Sequence, residues 1–89
     1  MSRLDKALHN DIKALELLRD ELKLHAHLLK AEAKTRWNEL ESKWDVLKEH
    51  LGRAQVAAGA SKQELDSAIT LLVDALKVGY KDIKNALKS

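Results

Sequence analysis

Residues 52–61 read Gly-Arg-Ala-Gln-Val-Ala-Ala-Gly-Ala-Ser, and they interrupt a chain whose pattern is otherwise helical. Gly52 suits a left-handed helix C-cap, and Gly59 suits a turn. The four residues that begin at Ser61 have the order of a capping box, in which the serine oxygen accepts a hydrogen bond from the start of a helix. We therefore expect a linker over 52–61 between two helices, within a single domain that spans residues 1–89.

The segment before the linker has the apolar period of one long helix. Its apolar side chains recur in steps of three or four residues from Leu4 to Leu51, and His25 falls on the same line. The average step is about 3.6 residues, the period of a nearly straight α-helix. The pattern predicts a helix over about residues 3–51, which would be roughly 73 Å long at the usual rise per residue.

A second amphipathic segment follows the linker. Apolar side chains recur from Leu65 to Leu87, and this spacing predicts a helix over about residues 62–88. The composition agrees, because 45% of the residues are hydrophobic, 34% are charged and none is proline. We expect an all-α fold in which the two helices form an antiparallel hairpin. The expected core consists of Trp37, Leu40, Trp44, Leu47, Leu65, Ile69, Leu72, Leu76 and Ile83.

The unequal lengths of the two helices predict self-association. The shorter helix would leave the first third of the longer one uncovered, and apolar residues also lie on second sides of both helices. On the shorter helix, this second flank consists of Ala68, Leu71, Ala75 and Val78. Soluble monomers rarely expose contiguous apolar patches, so we expect a homodimer that forms a four-helix bundle. The expected interface contains Leu4, Leu8, Leu15, Leu17, Leu18, Leu22, Leu24, Leu28 and Leu29.

Few residues have the spacing that catalysis or metal binding requires. The chain has no cysteine, which excludes disulfides and thiolate ligands, and it contains no nucleophile elbow or phosphate-binding glycine loop. The nearest candidates for metal ligands are Glu21 and His25, four residues apart. The alternative for His25 is a hydrogen-bonded side chain in the helix seam. We expect no catalytic residue, no cofactor, no metal site and no enzymatic activity.

Charge and hydropathy indicate which partners to expect. The net charge is +2 without a basic arm, so nucleic acid is not expected as a partner. No stretch has the apolar core of a signal peptide or the length of a membrane span, which favours a cytoplasmic protein. Lysines recur on one side of the second helix, at Lys77, Lys81, Lys84 and Lys88. They indicate a solvated face, with binding of anionic lipid or phosphate as the alternative.

A Trp-x-x-Leu segment occurs twice in the sequence and resembles a pattern found in other proteins. Residues 37–40 and 44–47 read Trp-Asn-Glu-Leu and Trp-Asp-Val-Leu, one heptad apart. Together with the Gly/Ala/Ser linker and the closing segment, they resemble small uncharacterised bacterial coiled-coil proteins over roughly residues 30–89. The resemblance implies a helical hairpin rich in Ala, Glu and Lys, and it implies no activity, substrate or site residue.

Three functions follow from these observations. The first is a non-enzymatic structural or protein-interaction module that self-associates through helical packing. The alternative is an amphipathic protein whose helices open and lay their apolar faces on a membrane surface. The third is a metal-binding helical bundle, which would depend on the histidines at positions 9, 25, 27 and 50.

Overall fold

The described residues form three α-helices, which pack into a bundle of 45 × 20 × 17 Å. The computed structural model describes residues 3–56 and 59–88, with side chains for residues 8–54 and 63–88. Helix α1 is Arg3–His25, α2 is Ala31–Val56 and α3 is Ala60–Lys88. The expected all-α class is therefore confirmed for the described residues.

The prediction of one continuous helix over 3–51 is wrong. The chain leaves α1 at His25, passes through a short 3-10 turn, and enters α2 at Ala31. The Leu29 N–H donates to the Ala26 carbonyl oxygen at 3.1 Å, and Leu29 itself has extended backbone angles of φ −71° and ψ 141°. Neither glycine nor proline occurs in this connection, so the local sequence carries no signal for a break.

Long-range burial explains why the helix breaks. The reversal brings α1 back against α3, where Leu15 and Leu22 are buried and Leu8, Ile12 and Leu18 pack against the same core. Full burial of one leucine side chain stabilises a fold by about 1.5–3 kcal/mol. Each helical hydrogen bond lost at the break costs a net of about 0.5–1.5 kcal/mol. Burial of these five side chains therefore outweighs the interruption.

Successive helices run in opposite directions along the bundle, and α3 packs against both α1 and α2. The turn at Gly59 makes α2 and α3 antiparallel. Asp11, in the first half of α1, pairs with Lys77 in the middle of α3 at 3.0 Å. Leu22, near the end of α1, lines a groove with Leu87, near the end of α3. Helix α1 therefore runs in the same direction as α3.

The core lies where the three helices meet. Its buried side chains are Leu15, Leu22, Trp37, Leu40, Trp44, Leu47, Ile69, Val73, Leu76, Tyr80 and Ile83. The residues predicted for the core of the hairpin lie in this cluster, except Leu65 and Leu72, which are half-buried. Val73 was not predicted to be buried. It lies one turn before Lys77 on the side of α3 that faces α1, and the hairpin prediction left this side without a partner.

The turn between α2 and α3 is shorter than the predicted linker over 52–61. Helix α2 continues through Gly52, which therefore does not cap it. Gly59 has a φ of 64°, which confirms its predicted place in a turn. The Gln63 N–H donates to the Gly59 carbonyl oxygen at 3.3 Å, so α3 begins directly after this turn. Ser61 lies inside α3, and its predicted capping side chain is outside the described residues.

Gly79 permits α2 to approach α3 closely. A Cβ atom at Gly79 would collide with the buried side chain of Leu40, whereas a Cβ atom at Gly52 would meet no described atom within 4 Å. Overpacking costs about 1–3 kcal/mol, and replacing a helical glycine by alanine gains about 0.5–1 kcal/mol. We expect Gly79→Ala to lower the free energy of unfolding by about 1 kcal/mol. Gly52→Ala is the matched control and should raise it by about 0.5–1 kcal/mol.

Urea denaturation of the two variants measures this difference. If Gly79→Ala stabilised the protein as much as Gly52→Ala does, α2 and α3 would be too far apart at Leu40 for the close contact described here.

Candidate interaction surfaces

A polar cluster joins α1 to α2 at the edge of the core. The Arg19 guanidinium donates through Nε and Nη2 to the two carboxylate oxygens of Glu41, at 2.7 and 2.8 Å. The same guanidinium lies 5.6 Å from the centre of the Trp44 ring. A bidentate ion pair stacked on an indole fixes both partners in one geometry. The cluster therefore sets the position of α1 relative to α2.

Tyr80 lies beside this cluster and is fully buried. Its ring packs against Trp37, with the ring centres 6.0 Å apart, and its hydroxyl has no hydrogen-bond partner among the described residues. Burial raises the pKa of the Tyr80 phenol far above its usual value, and the Glu41 carboxylate acts in the same direction. The hydrogen bond with Glu41 likewise raises the pKa of Arg19. Tyr80 therefore stays protonated at neutral pH, in the form that is a poor nucleophile.

The histidines lie apart from one another. His25 ends α1 and is exposed, so its predicted place in a helix seam is wrong, because the seam ends where the chain reverses. No ion pair between Glu21 and His25 is present in the described part of the chain. His9 and His27 are exposed, and His50 is half-buried. Within residues 8–54 and 63–88, no group of three potential ligands is close enough to hold a metal ion.

Part of the predicted dimer interface belongs to the core of a single chain. Leu15 and Leu22 are buried against α3 of their own chain, which corrects their assignment to an interface between chains. The physical reason is the reversal after His25, which removes the uncovered segment on which the dimer prediction depended. Other predicted interface residues are partly buried against the same core, and they are Leu8, Leu18 and Leu29.

Other predicted interface residues remain accessible on α1 and in the turn after it. Leu17, Leu24 and Leu28 have 72%, 71% and 64% of their surface exposed. Leu17 and Leu24 are seven residues apart and therefore lie on the same side of the helix. The side chain of Leu4, which was also predicted to lie in the interface, is outside the described residues.

A groove of about 450 Å³ lies between α2 and α3. It is lined by Arg36, Glu39, Leu40 and Lys43 of α2 and by Asp74, Ala75, Val78 and Gly79 of α3. We call this surface the α2/α3 groove. Val78 is 62% exposed, and Leu71, which is 70% exposed, lies one turn before Ala75 on the same side of α3. Ala75 and Val78 of the second apolar flank therefore line the α3 side of this groove, and Leu71 continues the flank beyond it.

The two sides of the α2/α3 groove carry opposite charges. Arg36 of α2 pairs with Asp82 of α3 at 3.2 Å. Lys43 and Asp74 also line the groove, and neither has an ion-pair partner among the described residues. Glu39 is the acidic exception on the α2 side. The groove thus combines an apolar surface with a basic side and an acidic side.

The fold and these surfaces define a small three-helix protein with an open, charged and apolar groove. Comparisons of the chain with protein families, with curated proteins and with solved structures gave no match. The resemblance to bacterial coiled-coil proteins therefore stays a prediction. None of the described helices combines the length and the hydropathy needed to cross a membrane.

Proposed function

We propose that this protein is a non-enzymatic interaction module that pairs with a second copy of itself through the α2/α3 groove. The observation that carries the proposal is the exposure of Leu71 and Val78 beside a groove whose two sides have opposite charge. Contiguous exposed apolar surface rimmed by polar residues is typical of association sites. The core of the single chain already contains Leu15 and Leu22, so the groove replaces α1 as the expected interface.

The charges favour one arrangement of the two copies. A two-fold axis parallel to the helices places α2 of each copy over α3 of the other. Lys43 then approaches the partner subunit's Asp74, and the exposed apolar side chains are covered. Helices α2 and α3 of both copies form a four-helix bundle, with α1 of each copy outside it.

The polar groups at the edge of the core support a structural role. Arg19 and Glu41 form a bidentate ion pair that joins α1 to α2. The raised pKa of Tyr80 disfavours its nucleophilic phenolate form. The modest net charge of +2 favours protein over nucleic acid as the partner, and we expect the module to act in the cytoplasm.

The mass in solution tests the proposal. Sedimentation equilibrium at micromolar concentration should give about twice the chain mass of 10.0 kDa. Leu71→Gln should weaken the dimer about tenfold or more, because burying a leucine contributes about 1.5–3 kcal/mol. Leu17→Gln is the matched control, since Leu17 is equally exposed but lies on α1. It should leave the dissociation constant unchanged within about twofold.

Charge reversal tests the arrangement of the two copies. Lys43→Glu and Asp74→Lys should each weaken the dimer by roughly twofold to fivefold, as expected for an exposed ion pair. The double variant should recover most of the original affinity. A wild-type monomer at micromolar concentration, or an equal loss from Leu17→Gln, would contradict the proposal.

A further inference from the structure

An exposed leucine and unpaired lysines meet at the end of the bundle where α1 and α3 finish. Leu28, in the turn after α1, is 64% exposed and lines a groove of about 270 Å³ together with Lys84 and Lys88. Lys81 lies three residues before Lys84 on the same side of α3. We call these residues, Leu28, Lys81, Lys84 and Lys88, the end patch.

The end patch lies where α1 and α3 end side by side. The reversal after His25 places α1 parallel to α3, and the ends of both helices come to the same end of the bundle.

The cations of the end patch are available for a ligand. Lys77 is already engaged by Asp11 at 3.0 Å. Lys81, Lys84 and Lys88 have no ion-pair partner within the described part of the chain. Glu21 is the carboxylate that lines the same groove, so the lysines outnumber the acidic group there. The end patch therefore presents net positive charge beside an exposed apolar side chain.

We propose that the end patch binds the surface of an anionic membrane while the bundle stays folded. The Leu28 side chain would enter the boundary between headgroups and acyl chains, and the lysines would lie at the level of the lipid phosphates. A nucleic acid would satisfy the lysines but would leave Leu28 in water. An anionic lipid surface satisfies both parts of the patch.

This binding does not require the helices to open. Trp37 and Trp44 are buried between the helices and do not line the groove of the end patch. The end patch also shares no residue with the α2/α3 groove. Membrane binding and pairing of two copies are therefore separate properties, and the failure of one does not decide the other.

Flotation of the full-length protein with vesicles tests the proposal. Vesicles that contain phosphatidylserine should bind the protein, pure phosphatidylcholine vesicles should not, and binding should weaken as salt is added. The variant Lys84→Gln/Lys88→Gln should bind about 25-fold more weakly, at roughly fivefold per lysine. The matched control, Lys13→Gln/Lys48→Gln, removes the same charge from exposed positions outside the patch and should weaken binding by less than about threefold.

Leu28 provides an independent variant. Leu28→Gln should weaken binding about tenfold or more, whereas Leu71→Gln should not weaken it by more than about twofold. Tryptophan emission should stay unchanged on binding, because both indoles remain in the core.

Four results would overturn the inference. These are no binding to anionic vesicles, equal losses in the two lysine variants, full competition by millimolar inorganic phosphate, and a red shift of tryptophan emission that reports an opened bundle.

Discussion

Leu22→Ala is expected to lower the free energy of unfolding by about 2–5 kcal/mol, whereas Leu24→Ala should change it by less than about 0.5 kcal/mol. The two leucines are two residues apart on α1 and have the same chemistry. Leu22 is 3% exposed against α3, however, and Leu24 is 71% exposed. The first substitution leaves a cavity in the core, and the second removes a side chain that is already in water.

Urea denaturation followed by circular dichroism measures both changes. With a long helix over 3–51, α3 would reach back only to about residue 24. Leu22 would then lie just outside the covered segment, and its burial would come from a second chain. The decrease in the free energy of unfolding caused by Leu22→Ala would then depend on protein concentration. In the three-helix bundle this decrease arises within one chain and is the same at any concentration. Equal effects of the two substitutions would contradict the packing of α1 against α3.

Trp44→Ala should lower the free energy of unfolding by about 3–5 kcal/mol. Trp44 is buried between the helices, and its ring supports the guanidinium of Arg19. The substitution therefore removes a large apolar side chain from the core and also one side of the site that holds the Arg19–Glu41 pair. Arg19 keeps its hydrogen bonds to Glu41 but loses the indole on which it stacks.

Val46→Ala is the control for this substitution, because Val46 lies two residues away on the exposed side of α2. Val46→Ala should lower the free energy of unfolding by no more than about 0.5 kcal/mol. Circular dichroism is the suitable measurement, since Trp44→Ala also removes part of the fluorescence signal. A loss below about 1 kcal/mol for Trp44→Ala would mean that the indole is not part of the core.

Some features of the candidate surfaces were visible in the sequence. The apolar flank that includes Leu71 and Val78 was apparent from helical spacing, as was the row of lysines near the end of α3. Spacing along one helix cannot show which residues of another helix lie beside it. The basic side of the α2/α3 groove comes from α2, and Leu28 of the end patch comes from the turn after α1, so neither surface could be assembled from one helix alone.

The sequence by itself determined the helical character of the chain, the turn at Gly59 and most of the core between α2 and α3. These features depend on local propensity and on the spacing of side chains within one helix, which the residues carry directly. Tertiary structure alone decided that the helix breaks after His25. Residues 24–31 contain no helix-breaking residue, and the break is favoured because Leu15 and Leu22 can then be buried against α3, far away along the chain. The same long-range packing turns part of the predicted interface into core.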